Sequence, residues 1–196
     1  MEDLSSVVPR LRGIPGGRGR GFTPGRRLTD SPAYAREGGK PVVELWGFGF
    51  TGRPGGVAQA VSLVNWFKSQ GAYVIGGVPR GWRTNSAGAK PGYTAAYDAF
   101  DMISPWTVGY TGSDLVQNYL VPDRDYLTAR GKAYQPVIYS GFAWSNWNGG
   151  ARNVIPRRSG DFFWQQAVAL RQNNIKQAFI AMFDEYDEAT AIAKTA

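Results

Sequence analysis

The 196-residue chain reads as an α/β protein: about five βα units of a (β/α)8 TIM barrel behind a disordered basic leader. Three observations point there. Strand-like runs start near residues 42, 73, 100, 135 and 178, the roughly thirty- to forty-residue period of successive βα units with right-handed crossovers. Stretches with helical apolar spacing lie between them. Five of the seven tryptophans (Trp46, Trp82, Trp106, Trp144, Trp147) sit at or just after the carboxyl ends of these runs. The first two features fit a barrel or an open doubly wound sheet equally well. The third favours the barrel, where that edge carries the active site.

The chain begins with a segment that cannot build a core. Pro9–Arg27 holds six Gly, six Arg and three Pro in nineteen residues, too little apolar area to offset chain entropy. Residues 1–27 are therefore expected as a disordered leader and residues 28–196 as the barrel portion. The leader can be read as an arginine-glycine arm for phosphate backbones, as a bland unstructured tail, or as non-native text from a GC-rich gene start. The blander readings weigh more. Residues 1–40 carry eight Lys/Arg against four Asp/Glu, whereas residues 41–196 carry fourteen against eleven. The net charge of +7 thus belongs largely to the leader, and no nucleic-acid partner is expected of the body. The acidic start Met1-Glu2-Asp3 is followed by no apolar run of signal-peptide length. Nor does any stretch approach the eighteen apolar residues of a membrane span.

From Lys40 the elements follow in order. Val42–Trp46 is a β-rich run ending in a glycine-punctuated loop. Val57–Gln70 then puts Val57, Ala60, Val61, Val64 and Phe67 on one helical face, and Gly71 stops it. Ala72–Ile75 and Phe100–Ser104 are the next strands. A helix is expected at roughly 113–130, a strand at Tyr134–Tyr139, a helix at Asp161–Asn174, and a fifth strand at Gln177–Phe183. No G-x-G-x-x-G or Walker A pattern follows a strand, so no nucleotide cofactor is expected. Trp66 and Trp164 fall inside helices and are expected to pack.

Composition narrows the chemistry. With no Cys and no His, thiol nucleophiles, disulfides, Ser–His–Asp triads and imidazole-ligated metals are excluded. Catalysis must use carboxylates, hydroxyls, amides, Arg or Lys. Aromatic residues at the barrel's carboxyl edge suit sugars, whose axial C–H groups complement the negative face of a ring. Trp46, Trp82, Trp106, Tyr139, Trp144, Asn146 and Trp147 are therefore expected to line a saccharide cleft, together with Glu44. Alternation gives Glu44 the same sheet face as Val42 and Trp46, and a charge there is costly unless used or paired.

The sharpest signal is Phe183-Asp184-Glu185-Tyr186-Asp187-Glu188, four acids in five residues directly after the last strand. Crowded carboxylates split their pKa values, which lets one donate a proton while another stays ionised. If the turn is helical, Glu185 and Glu188 lie roughly 5–6 Å apart, near the separation glycosidic cleavage needs. A solvated acidic helix start is the bland alternative. A calcium or magnesium site lacks its loop spacing, so no metal is expected.

The segment FDEYDEATAI resembles the F-N-E-W-x-E-G-T-x-I segment of endo-α-mannosidase-like glycoside hydrolases, family 99, and of the related family 71. The likeness extends through KPVVELWGFGF, YVIGGVPRGWR and YDAFDMISPWTVG, as in bacterial proteins labelled xylosidase/arabinosidase. It implies a barrel that cleaves an α-linked saccharide with retention and no cofactor. Glu185 would be the base that assists the substrate's 2-hydroxyl, and Glu188 the acid/base. The chain departs from the pattern at Asp184 (Asn), Tyr186 (Trp), Asp187 (His) and Ala189 (Gly).

A complete barrel takes about 250 residues and eight strands, so five strands imply the C-terminal portion of one. Such a portion leaves sheet edges open, which favours self-association. The rival from another class is a non-catalytic carbohydrate-binding module or an inactive fragment.

Overall fold

The computed structural model describes residues 28–111 and 114–193. The leader expected at residues 1–27 lies outside them. The chain divides into a unit Met1–Tyr34 and a unit Ala35–Ala196. In the first, Leu28–Asp30 forms a 3-10 turn, closed by the Ser31 N–H on the Leu28 carbonyl at 3.2 Å.

The second unit opens with a hairpin that the periodicity did not foretell. β1 (Arg36–Glu37) pairs antiparallel with β2 (Lys40–Trp46), Arg36 opposite Pro41. The two-residue loop is Gly38-Gly39, both at positive φ, the chemistry of a primed hairpin turn. From β2 onward pairing is parallel. β3 (Tyr73–Pro79) lies between β2 and β4 (Met102–Trp106). β5 (Ala133–Tyr134) pairs with β4, and β6 (Val137–Tyr139) with β7 (Phe179–Ala181).

The expected strand 134–139 is thus two short ones, and Pro136 is the reason. It has no N–H for a ladder, so pairing changes sides across it. The Gln135 N–H reaches the Ile103 carbonyl of β4 at 2.9 Å, while the Pro136 carbonyl accepts from Phe179 of β7 at 2.9 Å. Beyond it the Thr107 hydroxyl donates to the Val137 carbonyl at 2.6 Å. With β5 and β6 as halves of one strand, five strand positions follow in chain order. A doubly wound sheet would reverse its order at a switch point; this one does not. The fold is a partial (β/α)8 barrel.

Helices cover one side. α1 (Val57–Ser69) buries Ala60 and Val64, with Val57, Val61 and Phe67 packed around them, as its periodicity predicts. α2 (Thr94–Ala99) buries Ala96 and Tyr97; at six residues it is too short for a period to show. The expected helix at roughly 113–130 is present as a continuous helical run over 115–128, with a π turn inside it. A π-helical turn (Val116–Leu120) precedes α3 (Val121–Thr128), because Pro122 has no N–H for the preceding turn. α4 (Ser145–Asn148) is a single turn, and α5 (Asp161–Gln172) ends at Asn173. α1, α2, α3 and α5 meet Val74, Val78, Ile103, Tyr134 and Ile138 in the main core. Trp66 and Trp164, expected to pack, stay 43% and 68% exposed. Among the described residues no helix is long and apolar enough to cross a membrane.

Because alternate side chains face opposite ways, the other sheet face is built from the remaining positions. Glu44, Ile75 and Met102 stand in one row, and Trp46, Gly77 and Ser104 in the next.

Candidate active site

The carboxyl ends of β2, β4, β6 and β7 assemble the site. A Cβ at Gly77 would stand 2.5 Å from Trp46 Cδ1 and 2.9 Å from Trp46 Cα. The bare glycine therefore lets the Trp46 indole lie across β3. There it meets Trp106 edge-on at 5.3 Å and Phe50 at 5.1 Å, with the Arg53 guanidinium 5.3 Å from its ring. Trp46 remains 44% exposed, an aromatic surface turned outward.

Beside Trp106 lies a cavity of about 340 Å³, walled by Trp106, Val108, Phe142, Trp144 and Glu188. Trp144 stacks edge-on against Phe142 at 4.8 Å and meets Trp147 at 5.5 Å. Trp147, on α4, is 59% exposed and extends the aromatic surface past the rim. A larger hollow of about 600 Å³ between the π turn and α5 has no carboxylate in its wall. Chemistry, rather than size, singles out the smaller one.

The acidic segment is not helical, which corrects the geometry expected for Glu185 and Glu188. After β7, and the cis Ala181–Met182 peptide, the chain makes a compact turn. The Glu185 carbonyl accepts from the N–H groups of Thr190 at 3.1 Å and Ala191 at 2.9 Å, and the Tyr186 carbonyl from Ala189 at 3.1 Å. This is the bonding of a helix C-terminal motif whose left-handed position is ordinarily glycine. Here Ala189 occupies it at φ 56°. Ala189→Gly is expected to raise stability by about 0.5–1 kcal/mol, because glycine adopts this conformation without the Cβ clash; urea unfolding followed by Trp fluorescence measures it.

The loop after β6 grips this turn. The Ala143 N–H donates to the Glu188 carbonyl at 3.0 Å, and the Ser140 hydroxyl to the Thr190 carbonyl at 2.9 Å. Arg157 donates to the carbonyls of Ala189 at 2.9 Å and Ala191 at 2.6 Å. The Asn146 amide, expected in the cleft, donates to the Tyr186 carbonyl at 2.7 Å and so serves the turn. Ser140 and Arg157 carry no signal in sequence, since their partners lie over thirty residues away.

The glutamates differ in setting. Burial, and then the nearby charge of Glu185, push the Glu188 carboxyl above the usual range. Glu185 accepts the Asp187 backbone N–H at 3.0 Å. Glu44 sits deeper on the inner face, where burial raises its pKa. Among the described residues no group of three or more acids is placed to hold a metal ion.

Two expected cleft residues are elsewhere. Trp82 is 3% exposed, packed edge-on against Tyr97 and Tyr126 among the helices. Its indole N–H donates to Asp123 at 3.0 Å, and Arg83 pairs with the same carboxylate at 2.9 Å. The chain turns after Pro79, and the buried carboxylate draws the indole to the helix side. Tyr139 is 1% exposed and gives its hydroxyl proton to the Tyr110 carbonyl at 3.0 Å. Burial raises its pKa to about 12. It supports the loop behind Trp106 and does not line the cavity. Glu188, Trp106 and Trp144 are brought together on the cavity, with Trp46 and Trp147 beside it.

No protein-family model and no curated protein matches the chain. Solved structures do. The GH99 endo-alpha-mannosidase from Bacteroides thetaiotaomicron is similar at a TM-score of 0.59 and 18% identity, over 84% of this chain and 48% of that one. The same enzyme in complex with bis-tris-propane is similar at 0.58 and 18%, over 83% and 50%. A glycoside hydrolase-like protein is similar at 0.60 and 16%, over 84% and 49%. The chain spans about half the length of these proteins. Its fold is thus that of about half of each of these barrels.

Proposed function

We propose that the chain is the C-terminal portion (residues 28–196) of a retaining glycoside hydrolase acting on an α-linked oligo- or polysaccharide. The observation that carries this reading is Glu188 in the wall of an aromatic cavity, its carboxyl held up by burial and by Glu185. A general acid must hold its proton near neutral pH and face the leaving oxygen. Glu188 is the acid/base. Glu185 draws the proton from the sugar's 2-hydroxyl, which attacks the anomeric carbon; the leaving oxygen takes the Glu188 proton. Water then opens the bridged intermediate at the anomeric carbon, giving a proton to Glu188 while Glu185 returns its proton to the 2-oxygen, which restores both groups with net retention.

Trp106 and Trp144 stack on sugar faces, and Trp46, Trp147 and Glu44 extend the contact surface. The fold likeness supports the reading, because a GH99 endo-alpha-mannosidase and a glycoside hydrolase-like protein share this architecture. The test is turnover of aryl α-glycosides, with the product anomer followed by proton NMR. Release of the α anomer first is expected. Calorimetric binding of α-linked oligosaccharides with no turnover at any enzyme concentration would instead select the non-catalytic binding module.

A further inference from the structure

Resting on that reading, we propose that the cleft takes a saccharide bearing a carboxylate, a uronate unit, and that Arg80 is the group that recognises it. Arg80 follows β3 directly. Its guanidinium stands 3.9 Å from the Tyr110 ring centroid and 5.2 Å from that of Tyr119. Tyr110 lies between Gly109 and Thr111, both in the cavity wall that holds Glu188. The guanidinium is therefore held at the carboxyl edge, one residue's depth behind the cavity.

No carboxylate is bonded to it there. Arg80 Nε is buried with no hydrogen-bond partner. Among the described residues Arg80 forms no salt bridge. The carboxylate in reach is Asp114, and both of its oxygens are engaged. Tyr110 donates to Oδ1, and Asn118 donates to Oδ2 at 2.6 Å. These bonds hold Asp114 below the usual carboxylate range, with Arg80 a lesser contributor. A partly buried cation with no counter-charge bonded to it is costly, and tyrosine faces offset only part of that cost.

A stacked guanidinium is pre-organised for bidentate binding of a planar carboxylate. The acids of the neighbouring turn set where such a charge can lie. Asp184, Glu185 and Asp187 follow β7 beside Glu188, so an anionic substituent is repelled from that side and attracted to the side of β3 and β4. The sugar's carboxylate and its scissile bond are thereby sorted to opposite sides.

The test compares trigalacturonate with its fully methyl-esterified form by calorimetry at low salt, on the full chain. The two share one backbone and linkage and differ at the carboxyl groups, which are charged in one and neutral methyl esters in the other. The free acid is expected to bind at least tenfold more tightly, with the advantage shrinking as salt is added. R80Q is expected to bring the acid to the ester's affinity and leave ester binding unchanged. R80K, which keeps the charge and loses the fork, is expected to lose at least threefold for the acid and nothing for the ester. Equal affinity of acid and ester for the wild type, or a preference that survives both substitutions, overturns the assignment of Arg80 while leaving the saccharide cleft standing. Binding of neither form overturns this proposal. Loss of the saccharide cleft itself would be read separately, from neutral α-linked oligosaccharides.

Discussion

Glu188→Gln is expected to lower hydrolysis of aryl α-glycosides by at least about 10³-fold, at the upper end of what a positioned proton donor contributes. The substitution keeps the side chain's shape and removes the proton. The Ala143 hydrogen bond uses the Glu188 backbone carbonyl, so it survives, and the unfolding midpoint should stay close to that of the parent. Turnover unchanged in E188Q would remove the assignment. A second readout separates the glutamates. Glu185 is the lesser of two causes that raise Glu188, so E185Q should lower the Glu188 pKa while burial keeps it above an exposed glutamate's. Carbon NMR of labelled glutamate reads the shift. In the parent, the rate should fall as pH rises through the Glu188 pKa, because the ionised form cannot donate.

The second large effect concerns stability. Asp123 is 1% exposed and accepts from Trp82 and Arg83. Burial raises its pKa to about 6, against the lowering pull of the Arg83 and Trp82 hydrogen bonds. Asp123→Ala strips both donors of their acceptor and leaves Arg83 without a counter-charge. A loss of about 3–5 kcal/mol is expected, the cost of removing one partner of a buried pair. Asp123→Asn keeps an acceptor for the indole and should lose less.

The pH dependence has a definite sign. The folded pKa lies above the unfolded one, so the fold prefers the protonated acid. The stabilising contribution is complete below the ordinary carboxylate pKa and is lost as pH rises through about 6. A difference of roughly two units corresponds to about 3 kcal/mol. Urea midpoints between pH 4 and 8 should carry this slope in the wild type and lack it in D123N. A wild-type curve parallel to that of D123N would show that Asp123 does not titrate in this range.

These residues also show how unevenly the chain could be read. α1 was legible because its apolar positions repeat along thirteen residues of contiguous helix. The break in the fourth strand was not, since a proline in a strand run allows an edge, a bulge or a change of partner. Barrel and doubly wound sheets share the same βα period, so only the pairing order separates them. Among the tryptophans, position in the chain placed Trp82 and Trp106 in one class. The fold sends Trp106 to the cavity and Trp82 to Asp123, forty-one residues away.

What the amino-acid order determined alone is what depends on near neighbours and on inventory. The absence of Cys and His, the four acids within five residues, the βα period and the glycine-closed first helix all belong to that kind. Tertiary structure decided the rest: the cavity that gathers Trp106 from the end of β4 with Trp144 and Glu188 from two separate loops, the grip of Arg157 on the acidic turn, and the burial of Asp123. The reason is physical. A side chain's pKa and its access to a ligand depend on desolvation and on charges brought near by packing, and packing joins residues that the sequence keeps thirty to eighty positions apart.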